Sequence, residues 1–319
     1  MKKRSYLLIL MGALVGMLLF AAMLAVPAGL AAPSGKRDPG GAIYQSPGDF
    51  FVHVATSDTI QAAVTYVDHP VLNENPDAVF LATQLYNPSG EGGLHNDHEI
   101  GVFYSNGDQK WAIYNEDQTM MEEGLTFNVY VPQSSPNTFV HTSSAVNINF
   151  NYTYLDHSDA NGNLNALVFT IHNYNSGGAA GEYHNHHLGV WYTGASRWAI
   201  FNQDAAIMLA NRDFNVLIPT PGPRVVTHTA TVTNTSGNST LLDHPLLNGN
   251  SRAIMIVTQN WNPGGQGAIY NDKTIGVWYS VAASRWTIFN QDISEMPEGA
   301  AFNVLISPGN TYLPAIISD

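Results

Sequence analysis

The sequence predicts an all-β protein made of three tandem antiparallel β-sandwich modules, or small squashed barrels, after an N-terminal signal helix. Three observations predict it. One string of strand-forming residues returns three times at a spacing near 87 residues. The runs between turn signals are short and rich in Val, Ile, Thr, Tyr and Phe. No stretch beyond the N-terminal segment carries helical periodicity.

The chain opens with Lys2, Lys3 and Arg4, an uncharged apolar run from Tyr6 to Val26, and the small-residue stretch Ala28-Gly29-Leu30-Ala31. That is the order of a bacterial-type secretory signal, here residues 1–31 with cleavage expected after Ala31. The same run is close to the roughly 20 residues that span a bilayer, so an uncleaved anchor is the competing expectation, and the only membrane contact that the sequence offers. Residues 32–49 are polar and Gly/Pro-bearing and read as a disordered leader.

Modules follow at 50–133, 138–220 and 224–308, with a tail at 309–319. Within the first, strands are expected over Phe51–Thr56, Ala62–Val67, Ala78–Leu85, Ile100–Tyr104, Trp111–Tyr114 and Thr126–Val131. Ser105-Asn-Gly-Asp-Gln-Lys110 reads as a hairpin turn on its Asn-Gly pair. Alternation places Trp111 and Ile113 on the core face. The linkers 133–137 and 220–224 are short and Pro-bearing, so the modules are expected in a semi-rigid row, each closing its own interior.

The repeat is exact enough to read by eye. Ile100-Gly-Val-Phe-Tyr, Lys110-Trp-Ala-Ile-Tyr-Asn-Glu-Asp117 and Phe127-Asn-Val return as Leu188-Gly-Val-Trp-Tyr, Arg197-Trp-Ala-Ile-Phe-Asn-Gln-Asp204 and Phe214-Asn-Val. They return again as Ile275-Gly-Val-Trp-Tyr, Arg285-Trp-Thr-Ile-Phe-Asn-Gln-Asp292 and Phe302-Asn-Val. This signature resembles a repeated β-domain of unknown function found in exported bacterial proteins. The resemblance implies export and repetition and brings no activity with it.

Composition narrows the function classes. With no cysteine there is no disulfide, no thiolate chemistry and no lipid attachment at the signal. Without the signal, nine basic side chains face 25 acidic ones, a formal charge of −16 that repels phosphate backbones and argues against nucleic acid as a partner.

Candidate chemistry is sparse. Asp68-His69, Asp156-His157 and Asp243-His244 suggest a dyad, but neighbours in a strand point to opposite faces, so the pair reads as a strand end holding its turn. Histidines cluster at His95-Asn-Asp-His98 and His184-Asn-His-His187, yet the third copy has Tyr270-Asn-Asp-Lys273 there, which disfavours a shared metal site. Asp117, Asp204 and Asp292 are the metal-ligand candidates; calcium is the ion their oxygens would suit, and no other cofactor is expected.

The ligand candidates are Tyr86, Asn87, Tyr174, Asn175, Trp261 and Asn262. In each copy an aromatic ring precedes an amide on a Gly-rich loop, so that the ring would stack on a sugar face and the amide would meet its hydroxyls; alternatively the ring closes the end of a core. The expected role is a non-catalytic secreted or cell-surface repeat protein, structural, adhesive or assembling, with another surface protein or an extracellular glycan as partner. A carbohydrate-binding protein is the alternative and an exported hydrolase a distant third.

Overall fold

The computed structural model describes residues 48–90, 92–267 and 269–308. The expected signal, nearly all of the leader and the tail lie outside these residues. Copy 1 forms β1 (Asp49–Val54), β2 (Ile60–Gln61), β3 (Val64–Val67), β4 (Leu81–Leu85), β5 (Ile100–Ser105), β6 (Lys110–Asn115) and β7 (Thr126–Val131). Copy 2 forms β8 (Thr138–Thr142), β9 (Ile148–Asn149), β10 (Tyr152–Tyr154), β11 (Phe169–Asn173), β12 (Leu188–Tyr192), β13 (Trp198–Asn202) and β14 (Asp213–Leu217). Copy 3 repeats the order as β15 (Val225–Thr229), β16 (Thr235–Ser236), β17 (Ser239–Leu241), β18 (Met255–Asn260), β19 (Ile275–Ser280), β20 (Arg285–Asn290) and β21 (Ala301–Ile306).

Each copy contributes two antiparallel half-sheets. In copy 1, β1-β7-β4 is one and β2-β3-β6-β5 the other. Trp111 and Ile113 are fully buried, as alternation requires, and pack with Phe80 and Phe127. The Trp111 indole N–H donates to the Asn75 carbonyl at 2.8 Å, Trp198 to Asn163 at 2.9 Å and Trp286 to Asn250 at 2.8 Å. The Asn-rich turns after Asp-His thus aim a carbonyl at each core tryptophan, whose N–H needs a partner when buried. The β5–β6 hairpin forms where expected, but its left-handed residue is Gln109 (φ 53°), matched by Ser196 (58°) and Ser284 (51°), rather than the Asn-Gly pair.

The row of self-contained modules is not what the strands build. β5 of copy 1 pairs in parallel with β11 of copy 2, β12 of copy 2 with β18 of copy 3, and β19 of copy 3 with β4 of copy 1. Three seven-stranded mixed sheets result, each shared by two copies: β1-β7-β4-β19-β20-β17-β16, β15-β21-β18-β12-β13-β10-β9 and β2-β3-β6-β5-β11-β14-β8. The copies close into a cycle in which each sandwich feeds one sheet into each neighbour. Copy 2's Phe169, Ile171 and Leu217 and copy 3's Ile256 and Leu305 join the core of copy 1, so the interior is shared as well. The physical reason is that a half-sheet ending in β5 or β4 leaves an unpaired edge, and the neighbouring copy supplies the missing strand.

Candidate functional site at the seams between copies

The seams collect most of the repeated residues. The glycine of the Gly-Val-aromatic motif lies beneath the facing strand: a Cβ on Gly189 would stand 2.5 Å from the Phe201 ring and 2.8 Å from the Gln203 amide, and one on Gly276 2.6 Å from Gln291. Only a residue without a side chain lets the aromatic and the amide lie flat there.

Beyond the end of each parallel pair, an asparagine continues it. Asn87 accepts the Tyr279 N–H at 2.7 Å and donates to the Tyr279 carbonyl at 3.0 Å. Asn175 does the same to Tyr104 at 2.7 and 2.8 Å, and Asn262 to Tyr192 at 2.8 and 2.8 Å. Each amide stands in for a backbone peptide and extends the ladder across the seam. The asparagine of Phe-Asn-Val makes a second clasp: Asn128 donates to the Met255 carbonyl at 3.0 Å, Asn215 to Phe80 at 2.9 Å and Asn303 to Val168 at 2.9 Å, all three fully buried. Copy 1 thereby holds copy 3, copy 2 holds copy 1 and copy 3 holds copy 2.

The sequence-derived ligand candidates divide accordingly. The amides of Asn87, Asn175 and Asn262 are buried, and each donates one bond and accepts one across the seam to a neighbouring copy, which takes them away from the surface a sugar would meet. The rings of Tyr86, Tyr174 and Trp261 are half-buried at the seam surface, where Trp261 meets Trp191 and Tyr270, Tyr174 meets Phe103 and Tyr183, and Tyr86 meets His95 and Phe289.

The metal candidates lie in three different copies, each with its own side-chain donor. Asp117 takes His98 at 2.7 Å, Asp204 takes His186 at 2.7 Å and Asp292 takes Lys273 at 2.8 Å, while the second oxygen of each accepts a turn N–H. A histidine and a lysine are interchangeable at this place because the carboxylate needs a donor and not a ligand set. No group of three His, Cys, Asp or Glu side chains among the described residues is arranged to hold a metal. At the Asp-His pairs, Asp68 accepts Lys110 and Asn73, and His69 stacks on Phe51 at 4.5 Å. Asp156 and Asp243 meet Asn161 and Asn248 in the same way, and none of the pairs forms a dyad.

Sequence reasoning missed one cluster. Where copies 2 and 3 have Gln203 and Gln291, copy 1 has Glu116; where copies 1 and 3 have Gln84 and Gln259, copy 2 has His172. At the seam between copies 3 and 1 the two amides bond, Gln291 to Gln84 at 2.9 Å. At the seam between copies 1 and 2, Glu116 instead accepts His172 at 2.5 Å, the Tyr114 hydroxyl at 2.7 Å and the His184 backbone N–H at 2.9 Å. Burial, with Glu116 beside it, holds the Tyr114 phenol well above its ordinary range, so it stays a neutral donor. Gln84 and Gln259 each reach a carbonyl, that of His98 or of Lys273, but the shorter imidazole of His172 leaves Nε2 buried with no hydrogen-bond partner among the described residues. Comparing the three copies position by position would have exposed this cluster.

All three copies also wall a central cavity of about 60 Å³, lined by Thr83, Gln84, Thr170, Thr258, Gln259 and Glu99 among others. Burial lifts the Glu99 carboxyl to about 7. The space suits a few waters bridging polar groups.

Fold and seams together define a class: an all-β repeat protein whose copies exchange sheet edges and whose signature residues hold one copy to the next. The chain belongs to the family described as Domain of unknown function (DUF7452), whose model matches residues 42–131, 101–218 and 193–306. No curated protein and no solved structure matches it.

Proposed function

We propose that this is a non-catalytic, exported or cell-surface protein with a structural or adhesive role, in which three joined sandwiches present their outer seams to another surface. The observation that carries this reading is the cyclic set of buried asparagine clasps: the repeated polar side chains that a catalytic constellation would need are engaged in holding the copies together. Joining three copies multiplies any weak surface contact by avidity. Protease shaving of intact cells and assay of the culture medium should recover the chain outside the cytosol, and beads coated with it should adhere to those cells' envelopes. Recovery in the cytosol alone, with inert beads, would overturn the reading.

A second reading, carbohydrate binding, is favoured by the half-exposed rings of Tyr86, Tyr174 and Trp261, one at each seam. In it the ring alone does the work, since the adjacent amide is engaged.

A further inference from the structure

We infer that the outer face of the seam between copies 2 and 3 is a binding track for an extended, uncharged polysaccharide; this rests on the carbohydrate reading and assigns it to one seam and one ligand class. On β10, Thr153 points inward and bonds His141 at 2.8 Å, so Tyr152 and Tyr154 on either side of it point outward. On β12, Val190 is core and Trp191 therefore lies on that same outer face. Trp261 follows β18 directly beside it, its backbone N–H donating to the Val190 carbonyl at 2.9 Å.

The rings touch in series. Tyr154 meets Tyr152 at 5.1 Å between centroids, Tyr152 meets Trp191 at 5.1 Å, Trp191 meets Trp261 at 5.5 Å and Trp261 meets Tyr270 at 5.7 Å. All five remain partly or well exposed. Tyr154 and Trp191 are both in register with Ala199, whose small side chain leaves the strand between them open for the rings. From Tyr154 to Trp261 the row crosses three strand spacings, roughly 14 Å, the length of a short oligosaccharide.

Aromatic rings offer apolar faces to the C–H faces of sugar rings, and the hydroxyls of Tyr152 and Tyr154 with the Asn149 amide, linked at 3.1 and 2.7 Å, set hydroxyl-matching groups at one end. The ligand is uncharged because the row itself carries no charge, its neighbour Arg197 is paired with Asp156 at 3.3 Å, and the chain's formal charge of −13 repels acidic glycans. The copies differ: the counterparts of Tyr152 and Tyr154 are Val64 and Tyr66 in copy 1 and Ser239 and Leu241 in copy 3. At the seam between copies 1 and 2 the rings are looser, Tyr66 to Phe103 at 6.4 Å and Phe103 to Tyr174 at 6.5 Å. That seam should therefore bind more weakly.

Affinity electrophoresis of the full chain through gels carrying hydroxyethylcellulose, starch or soluble β-1,3-glucan tests this, with unchanged melting required of every variant. Retardation in at least one gel is expected, weakened tenfold or more by Tyr154→Ala and by Trp191→Ala and unchanged by Met120→Ala, an exposed side chain of copy 1 outside the row. Tyr154 lies away from the seam contacts, so its variant keeps the test valid if Trp191→Ala fails to fold. Retardation that survives Tyr154→Ala would overturn the track and leave carbohydrate binding standing elsewhere. Passage through all three gels without delay would overturn both.

Discussion

Acidification from pH 7 to pH 5 should weaken this fold by about 6 kcal/mol, and the amount follows from four imidazoles, three buried and His228 half-buried. His53, His141 and His228 occupy the same place in the three copies, each 2.8 Å from the hydroxyl of Thr65, Thr153 or Thr240, and burial lowers each to about 4. His184 is lowered to about 3, chiefly by burial. A histidine depressed on folding contributes stability that is complete above its unfolded value near 6.5 and disappears as the pH falls toward the folded value. At pH 5 each has lost about 1.5 units' worth, or about 2 kcal/mol, so the four lose about 8 kcal/mol. Glu99 works the other way: raised to about 7, it penalises the fold at neutral pH and returns about 2 kcal/mol on acidification. Melting followed by circular dichroism should therefore drop by on the order of 10 °C between pH 7 and pH 5. The triple variant His53→Gln, His141→Gln, His228→Gln keeps a partner for each threonine but does not titrate, and its melting should be nearly flat across the same range. An equal acid drop in wild type and triple variant, or no drop in wild type, would refute the reasoning.

Two further outcomes follow from the seams. Asn303→Ala removes a donor from the buried Val168 carbonyl and should lower stability by about 2–4 kcal/mol in urea unfolding, with Asn215→Ala matching it because it strips the equivalent carbonyl of Phe80. The double variant Glu116→Gln, His172→Gln rebuilds the amide pair already present between Gln291 and Gln84; it should melt at or above the wild-type temperature, whereas His172→Gln alone, which leaves Glu116 without its imidazole partner, should lose about 3 kcal/mol.

Much of the fold was legible in the chain. The period marked three equivalent units, alternation placed Trp111 and Ile113 in a core, and the turn residues bounded the strands within a few positions. The site was less so. The sequence left open whether Tyr86, Tyr174 and Trp261 stack on a ligand or close a core, and Asn87, Asn175 and Asn262 looked like free amides, because nothing local shows that a neighbour's backbone arrives opposite them. Glu116 and His172 lie 56 residues apart and were invisible as a pair until strands from two copies met.

Strand existence, repeat number and the inward face of each strand depend on local propensity and a period of two, which a sequence carries by itself. Which strand completes which sheet depends on where an unpaired edge finds a partner, and three copies of one fold offer the same edge to themselves and to one another. Only the tertiary structure decided that β5 takes β11, β12 takes β18 and β19 takes β4, turning a string of repeats into a closed cycle. With that choice the glycine, asparagine and aromatic residues of the signature became contacts between copies, and the aromatic row at the second seam came into being.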